Sequence, residues 1–175
     1  MLTLLFLPLT FANGPRVQLR TGVEQRLQAP TPDWPANITF CGEVRIAGPV
    51  SLAACGNGSG ILHQRDVPDV AHFRLQGLLP EMQRGEWNGR GYVGGGFMEI
   101  QRGPDAPGFR FGPAEAGQVE AAGPELSLGF RLNRVDTPLI LDLSGGVAHV
   151  PGATVVFGTE QTVLPSIGLT VGVGY

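Results

Sequence analysis

Charged residues recur on alternating positions of segments whose other parity is apolar: Arg16, Arg20, Glu24, Arg26, Glu43, Arg45, Arg74, Glu99, Glu125, Arg131 and Asp142. Arginines and carboxylates are nearly balanced in this set. All 12 basic residues of the chain are arginine, whose planar fork suits buried carboxylate pairs better than a lysine does. Charges taken out of water must be paired and hydrogen-bonded. The set therefore reads as an ion-pair network that fills an interior, and the alternative use of the same residues is a polar path for small solutes.

Cys41 and Cys55 invite a second kind of chemistry. Both sit on the charged parity, and a turn centred on Gly48 is equally far from each, so a hairpin about that residue sets them face to face. An oxidising compartment would then permit a cross-strand disulfide. A bulge in the hairpin would remove it and leave two free thiols. A metal site is not indicated, because the pair lacks the CxxC spacing and no histidine pair accompanies it. His63, His72 and His149 are scattered. His72 falls among the inward residues, His63 in a loop and His149 on the apolar parity. No acid and nucleophile complete a triad with His149, so no catalytic residue is assigned. The glycine cluster at Gly94 to Gly96 precedes no helix, which excludes a phosphate-binding loop.

The elements that must position these residues are strands. From Ile167 onward, Ile167, Leu169, Val171, Val173 and Tyr175 share one parity, and Gly168, Thr170, Gly172 and Gly174 share the other, which is strict period two. Seven earlier segments follow suit. In the first, Val17, Leu19, Val23 and Leu27 oppose the charges; in the second, Ile38, Phe40, Val44 and Ile46; in the third, Val50, Leu52 and Ala54. The fourth carries Ala71, Phe73, Leu75 and Leu79. The fifth, Trp87 to Gln101, has its faces blurred by glycine, and the better fit sets Tyr92, Met98 and Ile100 against Glu99 and Gln101. The sixth has Leu126, Leu128, Phe130 and Leu132 outward, and the seventh Leu139, Leu141, Leu143 and Val147.

The links after strands two, four and six are short, and those after one, three, five and seven are longer. The longest runs from Arg102 to Gly123. An even strand number with alternating connection lengths is the pattern of an all-β, eight-stranded antiparallel up-and-down transmembrane barrel. A soluble lipocalin-like barrel would share the alternation but put the apolar set inside. Against it stand the many Gly, Ser, Ala and Thr residues between the charges, which suit a tight lumen.

Composition agrees. The chain of 175 residues has room for one domain, with 27 glycines, 15 prolines and only 15% charged residues. A net charge of −3 offers no footprint for nucleic acid. The apolar stretch Leu2 to Phe11, too short to span as a helix, ends in Thr10-Phe11-Ala12 and reads as a secretory signal over residues 1–12, with the barrel over 13–175.

From Pro15 to Tyr175 the chain resembles the small eight-stranded outer-membrane barrels of the OmpA/OmpX type, in strand count, loop asymmetry and a final strand reading I-G-L-T-V-G-V-G-Y. The resemblance implies a protein of the cell outer membrane, surrounded by its lipids and without a cofactor. It also implies that Ile167, Leu169, Val171, Val173 and Tyr175 are read by the barrel-assembly machinery. The expected role is structural or surface-interacting, through extracellular loops displaying Trp34, His63, Phe109, Phe111 and Phe157 to an unidentified partner. A lipid-modifying enzyme built around His149 is the alternative of a different class.

Overall fold

The computed structural model describes residues 16–27, 37–58, 69–102 and 109–175. The expected signal at 1–12, Trp34 and His63 lie outside these residues. Eight strands follow in chain order: β1 (Val17–Arg26), β2 (Asn37–Ala47), β3 (Val50–Gly56), β4 (Asp69–Arg84), β5 (Trp87–Gln101), β6 (Glu120–Arg134), β7 (Leu139–His149) and β8 (Val163–Gly174). Each pairs antiparallel with the next, and β1 pairs with β8 from Gln18↔Gly174 to Arg26↔Ser166. The sheet is thus a closed barrel with no edge strand left open. A short helix, α1 (Ala153–Val156), interrupts the β7–β8 connection.

The pleat sends successive side chains to opposite faces, and the sequence alternation fixes which face is which. Leu19 is 63% exposed on the outer wall while its neighbours Gln18 and Arg20 are buried inside. On β6, Leu126, Leu128 and Phe130 point out and Glu125, Ser127 and Arg131 point in; on β8, Ile167, Leu169 and Val171 point out and Ser166 and Thr170 in. The wall is therefore apolar outside and charged inside.

Short turns join β2 to β3, β4 to β5 and β6 to β7 at the end where β1 begins and β8 finishes, here the turn end. Gly48 (φ 50) and Gly85 (φ 61) hold the left-handed conformation that tight hairpins require. Ala47 pairs with Val50 around Gly48-Pro49, and a bulge between Arg45 and Ala47 shifts the register by one residue. That shift brings Cys41 opposite Cys55, their sulfurs 2.09 Å apart in a disulfide. Here the bulge creates the opposition that a bulge was expected to abolish, because without it the two-residue turn would have set Cys41 against Gly56.

Strand β5 departs from the sequence pattern. Tyr92, Met98 and Ile100 are buried, at 3%, 0% and 0% exposure, whereas Val93 is 56% exposed. Phe97 stacks on Phe73 of the outer wall, with ring centroids 5.0 Å apart. Glu99 shares the parity of Phe97 and Val93 and lies between Ala71 and Ala122, so it is not a lumen residue. Gly91, Gly94, Gly95 and Gly96 carry no side chain to mark a face, and the interior at this height is apolar, which inverted the expected parity. Gly129 on β6 makes room for the inward ring: a Cβ there would fall 2.3 Å from the Tyr92 hydroxyl.

The β5–β6 connection is shorter than expected, because β6 starts at Glu120. It also turns back along the wall. Ala122 N donates to Arg110 O (2.7 Å), Phe111 bridges to Ala122, and the ring of Phe109 packs against Phe97 (4.8 Å) and Phe73 (5.3 Å).

Candidate functional site

The side chains that could carry function converge in the lumen, in layers. In the middle, Glu43 of β2 accepts a forked pair from Arg131 of β6, NH1 to Oε1 at 2.9 Å and NH2 to Oε2 at 2.6 Å. Arg131 Nε donates to Asp142 Oδ2 of β7 (3.0 Å), and Arg20 NH1 of β1 reaches Glu43 Oε2 (3.1 Å) and Asp142 Oδ2 (3.5 Å). Tyr92 donates its hydroxyl to Asp142 Oδ1 at 3.0 Å, and the Arg131 guanidinium lies over the Tyr92 ring at 5.1 Å. Two cations and two carboxylates thus neutralise each other in contact, as buried charges must.

One layer nearer the long loops, Arg74 of β4 forks onto Glu125 of β6, Nε to Oε2 at 3.1 Å and NH2 to Oε1 at 2.7 Å. His72, 1% exposed, sets Nδ1 3.0 Å from Glu125 Oε1 and Nε2 2.9 Å from Glu24 Oε1 of β1. These contacts tie three strands together across the lumen.

Above this layer the lumen turns apolar. Val70, Met98, Ile100, Ala121, Ala148, Val150 and Leu164 form one cluster with Ala153 and Val156 of α1, and Phe157 packs against it. The β7–β8 connection is a lid folded over the mouth. Phe157, part of this lid and read from sequence as displayed, is half-buried against the cluster, with the Arg26 guanidinium 5.1 Å from its ring centroid.

The turn end is different. A cavity of about 610 Å³ indents it, lined by Arg16, Glu81, Asn88, Asn133 and Arg134 among others. Arg90 pairs with Glu81, and Arg134 NH2 with Glu86 Oε2 at 2.9 Å.

Against the expected network, Arg20, Glu24, Glu43, Arg74, Glu125, Arg131 and Asp142 sit in the two ion-pair layers, and Arg26 lies under the lid. Arg16 is exposed before β1 begins and belongs to the turn-end cavity, because the strand's inward parity starts at Gln18. Arg45 faces inward and has no ion pair among the described residues. Glu99 is on the other face. Arg90 and Glu81 were missed, the first among the β5 glycines and the second behind a bulge between Leu78 and Glu81 that shifts the parity of β4. His149 is exposed on the wall, paired with Val163. Among the described residues no group of three or more His, Cys, Asp and Glu side chains could hold a metal ion.

The chain matches no protein-family model and no curated protein. Among solved structures it is similar to the crystal structure of Ail, the attachment invasion locus protein of Yersinia pestis, with 9% identity and a TM-score of 0.39 over 91% of this chain and 95% of that one. It is similar also to Ail in complex with the heparin analogue sucrose octasulfate (9% identity, TM-score 0.40, 91% and 95% covered). The third similarity is to the backbone structure of Ail in a phospholipid bilayer nanodisc (10% identity, TM-score 0.39, 93% and 100% covered).

Proposed function

We propose that this chain is an integral outer-membrane barrel, delivered by a signal over residues 1–12, with a filled lumen that does not conduct. Its role is structural or surface-interacting, and its short turns face the periplasm while its long connections face outward. The observation that carries the reading is the inverted wall: Leu19, Ile38, Phe40, Leu52, Leu126, Leu128 and Leu169 are each more than half exposed while Arg131 and Asp142 are buried. Each such apolar side chain loses about 1.5–3 kcal/mol if left in water, and a belt of them around a monomer is stable in lipid. A soluble barrel would reverse the faces. The asymmetry of connection lengths supports the orientation, and the apolar parity of β8 supports its recognition by the barrel-assembly machinery.

Membrane fractionation with an unboiled gel tests this reading. A detergent-dependent band whose mobility shifts on heating is the expected result; a soluble band in the absence of detergent overturns it.

A further inference from the structure

We propose that the β5–β6 connection does not stand out from the barrel to meet a protein partner but lies in the outer leaflet, with Phe109 and Phe111 seated among lipid acyl chains just beneath the headgroups. This contact rests on the membrane reading and is one that the strands alone do not make.

The patch begins on the wall. Phe73 of β4 and Phe97 of β5 stack there, and the connection lays two more rings on them: Phe109 packs against both, and Phe111 against Phe97 with centroids 5.4 Å apart. After this packing Phe109 is still 47% exposed and Phe111 59%. The four rings form one apolar surface, continuous with the exposed Leu75, Val93 and Leu126 of the outer wall. An isolated apolar patch of this kind marks a partner; one that prolongs a lipid-facing wall has lipid as its neighbour. Arg110, between the two rings, is committed elsewhere, with Nε 2.7 Å from Glu120 Oε1 of β6. Rings and charge therefore part, and the segment meets the wall with its apolar side.

Height decides between lipid and solvent. Met82 is the exposed outward residue near the turn end of β4, and the span from Phe73 to Met82 rises about 23 Å at about 3.3 Å per residue and a tilt of about 40°. The apolar band of a transmembrane barrel is about 25 Å tall, so the four rings sit at its upper border. Beyond Phe97 the next outward position of β5 is Glu99, where the wall ceases to be apolar. Phenylalanine has no polar tip to hold in water, so at this border its ring belongs under the headgroups.

Backbone brought to such a depth needs hydrogen-bond partners. Arg110 O accepts from Ala122 N at 2.7 Å, Phe111 bridges to Ala122, and Arg102 N donates to Val119 O at 2.7 Å. Ala122 shares the outward parity of Leu126 and Leu128 and yet is fully buried, because the connection covers it. The segment is stitched to the wall.

Depth-dependent fluorescence quenching tests the placement. The chain has two tryptophans; in a Trp34→Phe, Trp87→Phe background a single tryptophan replaces Phe111, Phe109 or, further down β6, the exposed Leu128, and the barrel is folded into phosphatidylcholine vesicles. Phe111→Trp should lose emission to lipid brominated near the headgroup end of its chains, less to lipid brominated near the chain ends, and little to aqueous iodide. Phe109→Trp should behave alike and serves alone if Phe111→Trp gives no heat-shifted band. Leu128→Trp should be quenched most by the deeper bromines. If lipid quenches Leu128→Trp while iodide and not bromine reaches the connection, the placement is overturned and the membrane reading stands. A tryptophan in the connection that neither quencher reaches is covered by protein, which overturns it too. No lipid quenching at any of the three positions overturns both readings.

Discussion

At the loop end the lumen is closed by Met98, Ile100, Val150 and Val156, which need nothing from solvent, whereas at the turn end Arg16, Glu81, Asn88, Asn133 and Arg134 line an open cavity. The two ends belong to one wall of continuous strands, so backbone geometry does not separate them. Side-chain chemistry does. Apolar groups satisfy one another by contact and make a seal, and the charged and amide side chains of the turn end leave a mouth open to water. Between them lie ion pairs in direct contact, and the contrast depends on that middle being dry.

Breaking the middle should have the largest effect. Arg131→Ala leaves Glu43 and Asp142 buried without their main partner, and loss of one member of a buried pair costs about 3–5 kcal/mol. Urea unfolding of the folded barrel measures it, and a loss below about 1 kcal/mol would mean the middle layer is already wet and the two ends communicate. Next comes the disulfide. Its partners are 14 residues apart, and a loop of that length is worth about 3 kcal/mol. Replacing Cys41 and Cys55 by serine should lower the urea midpoint accordingly, and reduction of the parent should do the same. Val156→Ala thins the lid at a cost of about 1–2 kcal/mol. Its sharper signature is local: protease cleavage within 151–162 should accelerate with no change at the turn end. Arg45→Gln should change the urea midpoint least, by under about 0.5 kcal/mol, because no carboxylate loses a partner. A cost as large as that of Arg131→Ala would show Arg45 to be as much a structural cation as Arg131.

Much of the barrel was legible because alternation is a direct image of a two-faced wall. β8 and β6 read cleanly since small or charged inward residues sit beside large outward ones. β5 did not, because its glycines are silent and because Met98 and Ile100 belong to an apolar interior that alternation assigns by default to the outside. The lid was invisible for a related reason: Val155, Val156 and Phe157 stand in a loop with no period, and only the three-dimensional mouth reveals what the short helix covers. Arg16 and Glu99 were misplaced by one rule applied too far, Arg16 beyond the start of its strand and Glu99 on the wrong parity. The facing of Cys41 and Cys55 depended on a bulge that spacing cannot disclose, since one extra residue changes every partner in the hairpin.

The pairing of β1 with β8 has a kinetic side. It joins the first and last strands, so it closes the longest loop in the molecule, and ordering so many residues before any contact rewards them makes such closures slow. Until it forms, the curled sheet has two raw margins, each a row of unsatisfied amides and carbonyls able to capture another chain. Val17 to Arg26 and Val163 to Gly174 are thus mutual protectors as well as neighbours, and the time between synthesis and their meeting is when this protein is most exposed to aggregation.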